Sequence, residues 1–385
     1  MGGRFILTDE NSVYRNAKKG FLTDENGVYR KVKKAFATIG GVYRPCWASG
    51  LEYYGKIGTL SNSASGSNCY AASNDNYAFF ATIMQKANVF NKDLTFFKTQ
   101  DLIGNSNATV PSAARAKDVV IFAGTGSSQY NTGVAASDGD TVTTLTNLMS
   151  ARRYSSPATL STHAIFASGQ SSGGFPANCD AYDMNLVKKT FNISDGRTYM
   201  GIAVVNDVAL FAGGMASTSG SGQVNTLDWV NEDLTTGYRN ALAKVRDNLG
   251  GARVENFAIF AGGKYRSTDY YDTIDIFEVL DDGSVVTIAT SQKLPSARSG
   301  MHGTPIGDVA FFTGGYNYNA STKFRTDTLI FDSSLTWQYG PALKEGWSHM
   351  QITTLGDVVL LGGGDISNGS GGYTQGKAVE AFKYF

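Results

Sequence analysis

The sequence predicts an all-β protein, and two observations carry this prediction. A short apolar pattern recurs seven times, with spacings of 42, 44, 45, 49, 52 and 49 residues. Each apolar run is too short for a helix and is bounded by turn residues. The 45 glycines and only 7 prolines suit many short strands joined by tight turns. One buried strand in every repeat of about 40–50 residues is typical of a β-propeller blade. The anchor residues of the seven runs are Phe80, Phe122, Phe166, Phe211, Phe260, Phe312 and Leu361.

Charge and hydropathy exclude several classes of function. The 33 basic residues equal the 33 acidic ones, so the net charge gives no reason to expect nucleic acid or an anionic membrane surface as partner. The hydrophobic fraction of 42% is enough for a core. No run approaches the roughly 18 apolar residues of a membrane span. The N-terminus lacks the apolar segment of a signal peptide, so we expect synthesis in a cytoplasm without membrane insertion.

Each repeat contains enough strand-like segments for four strands. In the fifth repeat, residues 273–279 and 284–288 follow the anchor strand, and further strand-like residues precede it. The last repeat, 347–385, lacks an outer strand, and residues 51–60 have the matching pattern. We therefore expect residues 51–60 to complete that blade, which would satisfy an otherwise unpaired edge. Residues 232–247 form the one stretch whose composition permits a helix.

The anchor strand carries a specific resemblance. It ends in a Gly-Gly doublet in the last four repeats, and the turn Leu294-Pro-Ser-Ala-Arg298 precedes the sixth copy. This combination resembles the kelch repeat over about residues 51–385. The resemblance implies a seven-bladed kelch-like β-propeller spanning residues 48–385.

A different repeat occupies residues 1–47. Two copies of Thr-Asp-Glu-Asn-x-Val-Tyr-Arg and a shorter third copy end at Tyr14, Tyr29 and Tyr43 with the arginines that follow. Asn-Ser, Asn-Gly and Gly-Gly between apolar flanks are turn dipeptides, so the pattern predicts small tandem β-hairpins. Isolated hairpins cannot bury a core. We therefore expect an attachment or oligomerisation module that packs against another copy or another protein, through these three tyrosines among others.

The N-terminal units are similar to the N-terminal parts of bacteriophage tail and other virion proteins. The resemblance implies a virion structural protein, such as a tail fibre or appendage component, located in the virion. Residues 1–47 would bind other virion proteins. The β-propeller would then serve host attachment by receptor binding, to a host-surface glycan or protein, or would serve virion assembly alone.

Arginines recur fourteen residues before the anchors of four consecutive repeats. In kelch domains the matching position lies at the mouth of the central channel, where the five fixed donors of arginine suit a carboxylate or sugar hydroxyl. One interpretation is thus a ring that binds an anion or glycan. In the alternative, these side chains bond carbonyls or aspartates of the neighbouring blade and hold the ring together. A contact with a partner protein is the third interpretation. The residues are Arg152, Arg197, Arg246 and Arg298, with Trp347 at the same position in the last repeat.

Tyrosines cluster after the glycine doublets of the fifth and sixth repeats. They stand among serine, asparagine and glycine, a composition typical of recognition loops because tyrosine offers a large contact area with few rotatable bonds. The alternative is a solvated loop whose tyrosines pack on their own blade. The residues are Tyr265, Tyr270, Tyr271, Tyr316 and Tyr318.

No pattern in the sequence indicates catalysis. His163, His302 and His349 lack the short spacing of a metal pair, and the three cysteines form no CxxC motif. No nucleophile elbow is present. We therefore expect no enzyme, no metal and no cofactor. Two alternatives to the virion protein stay open: an intracellular kelch-type interaction scaffold, and a propeller glycosidase or oxidase.

Overall fold

The computed structural model divides the chain into two compact units, Met1–Glu52 with Lys383–Phe385, and Tyr53–Phe382. Among the first fifty residues the structure describes six strands. From residue 51 onward it describes all residues except the short gaps given at the end of this paragraph. The part of the chain that is described contains no helix, and hence none with the length and apolarity that crossing a membrane demands. The gaps are 63–69, 103–109, 127, 218–221, 369–371 and 385.

The first unit contains three antiparallel strand pairs. In the third pair, Ile39 pairs with Val42 and Lys34 pairs with Ala48. Tyr29 lies in the second pair and Tyr43 in the third, whereas Tyr14 and the turn residues lie outside the described residues. The strands are β1 (Ile6–Leu7) with β2 (Arg15–Asn16), β3 (Phe21–Thr23) with β4 (Tyr29–Lys31), and β5 (Lys34–Ile39) with β6 (Val42–Ala48).

The rest of the described chain forms seven four-stranded antiparallel sheets. The first to third sheets are β8 (Ala71–Ser73), β9 (Tyr77–Thr82), β10 (Lys86–Asn91) and β11 (Phe96–Asp101); β12 (Ser112–Ala116), β13 (Val119–Thr125), β14 (Gly133–Ser137) and β15 (Val142–Thr144); and β16 (Ser156–Thr159), β17 (His163–Ala167), β18 (Asn178–Asp183) and β19 (Lys188–Asn192). The fourth to sixth are β20 (Gly201–Val205), β21 (Val208–Ala212), β22 (Thr226–Val230) and β23 (Thr236–Asn240); β24 (Gly250–Val254), β25 (Phe257–Ala261), β28 (Ile274–Val279) and β29 (Val285–Ile288); and β30 (Ser299–Ile306), β31 (Val309–Tyr316), β32 (Thr328–Phe331) and β33 (Trp337–Tyr339).

The seventh sheet draws its strands from both ends of the array. It comprises β7 (Leu51–Thr59), β35 (Gln351–Leu355), β36 (Val358–Gly362) and β39 (Ala378–Tyr384). Its order is β35-β36-β39-β7, so a strand from before the first sheet lies at its edge.

Two smaller sheets are also present. One pairs β26 (Lys264–Tyr265) with β27 (Asp269–Tyr270), and the other contains β34 (Trp347–Ser348), β37 (Asp365–Ser367) and β38 (Tyr373–Gln375).

Burial follows the position of each strand in its sheet. The second strand β21 is buried along its whole length, because its faces pack against the neighbouring sheets. The outer strand β23 instead alternates between exposed and half-buried residues, as a strand covered on one side does. The expectation that residues 232–247 could be helical is therefore corrected. The seven anchors are fully buried, in the second strand of each sheet.

The first strands pack against one another in sequence. They are in contact in the order β8, β12, β16, β20, β24, β30 and β35, and β35 contacts β8. Together they enclose a channel of about 910 Å³, whose lining includes many alanine, glycine and threonine residues and also charged ones such as Asp75, Arg115 and Arg253. This arrangement is that of a β-propeller.

The glycine doublets are required by contacts between consecutive sheets. Gly262 and Gly263 have φ values of +71° and +101°. A Cβ on Gly262 would come 2.6 Å from the Arg298 carbonyl oxygen, and one on Gly263 would come 2.8 Å from that of Asp247. The Gly263 N–H donates to the Arg298 carbonyl at 2.9 Å, which joins the fifth sheet to the turn before the sixth. Any other residue at these two positions would strain the positive-φ backbone and would place its Cβ too close to a carbonyl oxygen of another segment.

Candidate recognition site at the channel mouth

The recurring arginines are buried and serve the packing of the propeller. Arg197 is 0% exposed and forms an ion pair with Asp228, which is 1% exposed. Its Nε donates to the Gly213 carbonyl at 2.8 Å, Nη1 to that of Asp195 at 3.0 Å, and Nη2 to that of Phe211 at 3.3 Å. The guanidinium therefore meets its hydrogen-bonding needs inside the protein.

The other three arginines also pair with a buried or partly buried aspartate, although Nε and Nη1 of Arg246 have no partner among the described residues. Asp180, Asp228 and Asp275 each lie on the third strand directly opposite an anchor phenylalanine. In the sixth sheet the partner of Arg298 is Asp327, at 2.7 Å. Trp347 is also buried. The remaining pairs are Arg152 with Asp180 and Arg246 with Asp275.

These contacts correct the expectation of a ligand-binding arginine ring. None of the four guanidinium groups faces the channel, because each bonds the second and third strands of its own sheet. The link to the neighbouring sheet is made by the arginine backbone instead. The Arg197 carbonyl accepts from Gly169 N, and the Arg246 carbonyl accepts from Gly214 N. The arginines therefore hold the ring together.

The residues two positions after the four arginines and Trp347 occupy equivalent places in consecutive sheets, and three of them, Tyr199, Asn248 and Gly300, line the channel at one mouth. Asn248 N donates to Tyr199 O, Gly300 N to Asn248 O and His349 N to Gly300 O, each at 2.9 Å. The five members have φ values of +60°, +61°, +53°, +63° and +51°. Positive φ is uncommon outside glycine and concentrates at functional sites. We call this set the mouth ring: Tyr154, Tyr199, Asn248, Gly300 and His349.

A buried carboxylate adjoins the mouth ring. Asp247 Oδ2 accepts from Gln223 Nε2 at 2.9 Å, and Asp247 Oδ1 accepts from Asn248 Nδ2 at 2.8 Å. Burial raises the pKa of Asp247, while these two hydrogen bonds and the charge of Lys264 act in the opposite direction. Asp247 is therefore held in place by the two amides.

Tyr316 is the centre of an aromatic group beside Asp247. Its hydroxyl lies 2.8 Å from Lys264 Nζ. The Tyr316 ring lies 5.6 Å from that of Tyr270, 5.0 Å from Tyr318 and 5.1 Å from His349, measured between ring centroids. Burial raises the pKa of Tyr316 to about 12, so its hydroxyl stays neutral at physiological pH.

Three of the five tyrosines singled out in the sequence thus come together. Tyr316 is buried, Tyr270 is half-buried and Tyr318 is 41% exposed. Tyr265 and Tyr271 are half-buried. The Tyr265 ring packs under the guanidinium of its neighbour in sequence, Arg266, at 4.9 Å.

His349 completes this side of the mouth. Its Nδ1 lies 3.2 Å from Asp365 Oδ2. A Cβ on Gly300 would come 2.7 Å from His349 Nε2, so glycine is needed for the imidazole ring to pack this closely. His302 lines the channel just inside the mouth, where burial and then the charge of His349 lower its pKa to about 3.

The opposite side of the mouth is built on a stack of planar groups. The Arg153 guanidinium lies 5.2 Å from the Tyr130 ring centroid and 4.6 Å from that of Tyr154. The Tyr154 and Tyr199 rings are 5.8 Å apart. Arg153 Nε and Nη2 donate to Gln170 Oε1 at 3.0 and 2.9 Å, which fixes the plane of the guanidinium.

The mouth therefore combines aromatic faces with neutral hydroxyls, amides and a few charges. Within the described ranges, no group of three or more His, Cys, Asp or Glu side chains is arranged to hold a metal ion. Sequence reasoning found the arginines and missed the mouth ring. The residues two positions after each arginine and after Trp347 read Tyr, Tyr, Asn, Gly and His in the sequence. The left-handed backbone conformation that they share is visible only in the structure.

Comparisons with known proteins agree with the fold. No family model matches the chain, and no curated protein matches it. A solved structure titled "Structure of YjhT" is similar, with a TM-score of 0.52 and 14% sequence identity, over 69% of this chain and 91% of that chain. At this level of identity the similarity concerns the fold alone, which is a β-propeller.

Proposed function

We propose that this chain is a carbohydrate-binding β-propeller of a bacteriophage virion, which attaches the particle to a host-surface glycan. The mouth ring and its neighbours bind the glycan, and residues 1–47 fasten the chain to another virion protein. The observation that carries the proposal is the backbone hydrogen-bond chain from Tyr199 through Asn248 and Gly300 to His349, whose first three members line the channel, with the Tyr154 ring 5.8 Å from that of Tyr199. The role is binding, without turnover of the ligand.

The propeller is proposed to be a closed ring of seven kelch-like blades. Seven four-stranded sheets and the contacts of their first strands, from β8 round to β35 and back to β8, favour this count. The position of β7 in the seventh sheet favours closure of the blade of residues 347–385 by residues 51–60. Closure of this kind pairs the edge of β39 that would otherwise be open.

The chemistry of the mouth favours a saccharide. Sugars present apolar C–H faces together with many hydroxyls, and the rings of Tyr154 and Tyr199 with the amide of Asn248 offer both kinds of contact. The channel volume of about 910 Å³ lies within the range usual for small-molecule sites. The pKa of Tyr199 is raised to about 12 by burial, so its hydroxyl remains a neutral donor and acceptor.

The attachment role of residues 1–47 rests on the repeated hairpin sequence and its resemblance to virion proteins. Pairs as short as β1/β2 and β3/β4 need a further surface for stability. Substituting Tyr29 and Tyr43 by aspartate in the full chain should lower its incorporation into particles. Unchanged incorporation would contradict this part of the proposal.

A binding experiment tests the proposed site. The full chain is screened on an array of bacterial surface glycans beside Tyr199→Ala, with Tyr238→Ala as the control, since Tyr238 is 65% exposed on the outer strand β23. We expect Tyr199→Ala to lose at least about tenfold in affinity through the lost stacking and hydrogen bond, at an unchanged melting temperature. Tyr238→Ala should bind as the parent does, and the glycan should be recovered unaltered. Equal binding by both variants, or no binding by the parent, would overturn the proposal.

A further inference from the structure

We infer that the mouth site selects saccharides rich in hydrogen-bond donors, amino sugars with a free amine foremost, and disfavours acidic saccharides. This inference rests on the proposed function and names the ligand class of the same site. It follows from three buried acceptor atoms without a partner, on Gln223, Asn248 and His349, around the buried carboxylate of Asp247.

Two of the acceptors are oriented by Asp247. The amide N–H groups of both Gln223 and Asn248 point at the Asp247 carboxylate. Turning either amide over would set its carbonyl oxygen against the carboxylate, so the orientation is determined. Gln223 Oε1 and Asn248 Oδ1 are consequently turned away from Asp247, and both are buried without a partner among the described residues. Both side chains are about nine-tenths buried, and Asn248 lines the channel.

The third acceptor is a histidine nitrogen. His349 Nδ1 lies 3.2 Å from Asp365 Oδ2, an acceptor when ionised, so Nδ1 carries the proton in the neutral ring. Nε2 is then an acceptor. It is buried without a partner in the described structure, and it packs against Gly300, which lines the channel.

The cations near the mouth are engaged by other groups. On the side of Asp247 and Asp365, the Lys264 ammonium donates to the Tyr316 hydroxyl, and the Lys323 ammonium lies 5.8 Å from the Tyr318 ring centroid. Arg153 lies beside Tyr154, with Nε and Nη2 bonded to Gln170, and Nη1 faces Gln129 Oε1 once that amide is turned to accept. A ligand carboxylate would bring only further acceptors to three that lack donors. Hydroxyls supply donors, and an ammonium group supplies charge-assisted ones.

Matched oligosaccharides test this selectivity. Tetramers of β-1,4-linked glucosamine, glucose and glucuronate share one backbone and differ in the charge of one substituent on each sugar. Their affinities for the full chain are measured by calorimetry at pH 7, where the amine is still largely charged and the Asp247 carboxylate, whose pKa is raised, is less protonated than in acid. We expect the glucosamine tetramer to bind about tenfold more tightly than the glucose tetramer, since hydrogen bonds between charged partners are stronger. The glucuronate tetramer should bind most weakly.

Two variants connect the selectivity to these atoms. Asp247→Asn should reduce the advantage of glucosamine over glucose to less than about threefold, because the negative charge is lost. Gln223→Met removes one acceptor, and with it the Nε2 donor to Asp247, but keeps the Asp247 carboxylate. It should weaken binding of both tetramers, and it serves alone if Asp247→Asn does not fold. An unchanged glucosamine advantage in Asp247→Asn, or unchanged affinities in Gln223→Met, would overturn the inference.

The outcomes separate this inference from the proposed function. Binding that is lost in Tyr199→Ala but strongest for glucuronate, or equal for glucosamine and glucose, would overturn the donor selectivity and leave the glycan site standing. If none of the three tetramers binds, while other glycans bind at the mouth, the inference is also wrong. Absence of binding by any saccharide overturns both.

Discussion

Replacing Arg197 with methionine removes the cation from a fully buried ion pair and leaves the Asp228 carboxylate alone. Asp228 would keep its hydrogen bonds from Ser194 N and Oγ, at 2.7 and 3.0 Å, but would lose its only paired charge among the described contacts. Three backbone carbonyls would also lose a donor. Breaking a buried pair from one side costs about 3–5 kcal/mol of unfolding free energy.

Urea unfolding followed by tryptophan fluorescence measures this loss. Arg115→Met is the matched control, because Arg115 pairs at 2.8 Å with Asp75, and the side chains are 31% and 72% exposed, against 0% and 1% for Arg197 and Asp228. Its unfolding midpoint should equal that of the parent. The double variant Arg197→Met/Asp228→Leu should be more stable than Arg197→Met, since no lone charge then remains buried.

A different result would refute the structural role of the arginines. If Arg197→Met lowers stability by less than about 1 kcal/mol and abolishes saccharide binding, the guanidinium serves a ligand after all. Loss of stability with normal binding in the folded fraction is the expected outcome. The experiment thus decides between the two interpretations that the sequence left open.

Three further predictions concern single residues. Gly263→Ala should lower the free energy of unfolding by more than about 1 kcal/mol and weaken glycan binding, because φ is +101° and the new methyl group would clash with Asp247 O. Gly173→Ala is the control and should leave both unchanged, because no atom lies within 4 Å of the new Cβ. His302 has a pKa of about 3 in the folded chain against 6.5 unfolded, so the unfolded state binds the extra proton and stability falls as pH drops from 6.5 towards 3. At pH 4.5 this cost is up to about 3 kcal/mol, and His302→Gln should lack it; an identical acid slope in pH-dependent unfolding would contradict the assignment. Cys179, whose thiol pKa burial raises to about 12, should not react with a disulfide reagent in a Cys46→Ser/Cys69→Ser background until the protein unfolds.

The anchor strands could be read from the sequence because their signal is local. A second strand such as β21 is covered on both faces, so it must be apolar along its length, and Phe211 marks it without knowledge of any partner. The outer strand β23 carries no such signal. Its polar composition permitted a helix, and only its pairing with β22 makes it a strand.

The arginines were located correctly by spacing, but their role depends on a distant residue. Asp228 lies 31 residues after Arg197 and reaches it only because β21 and β22 pair with Phe211 opposite Asp228. A spacing within one repeat cannot reveal which side chain will lie across a sheet. The same limit applies to Tyr316 and His349, which come from different repeats and meet at the mouth.

The sequence by itself determined the all-β class, the repeat of one buried strand and the positions of the glycine doublets, because each depends on burial or backbone conformation within a few residues. The tertiary structure decided which repeated positions face the channel. Residues such as Arg197 and Tyr199 are two apart, yet one is sealed inside its own sheet and the other lines the channel. The reason is the left-handed backbone at Tyr199, which changes the direction of the chain there. Backbone hydrogen bonds to the neighbouring sheets hold the chain in that direction.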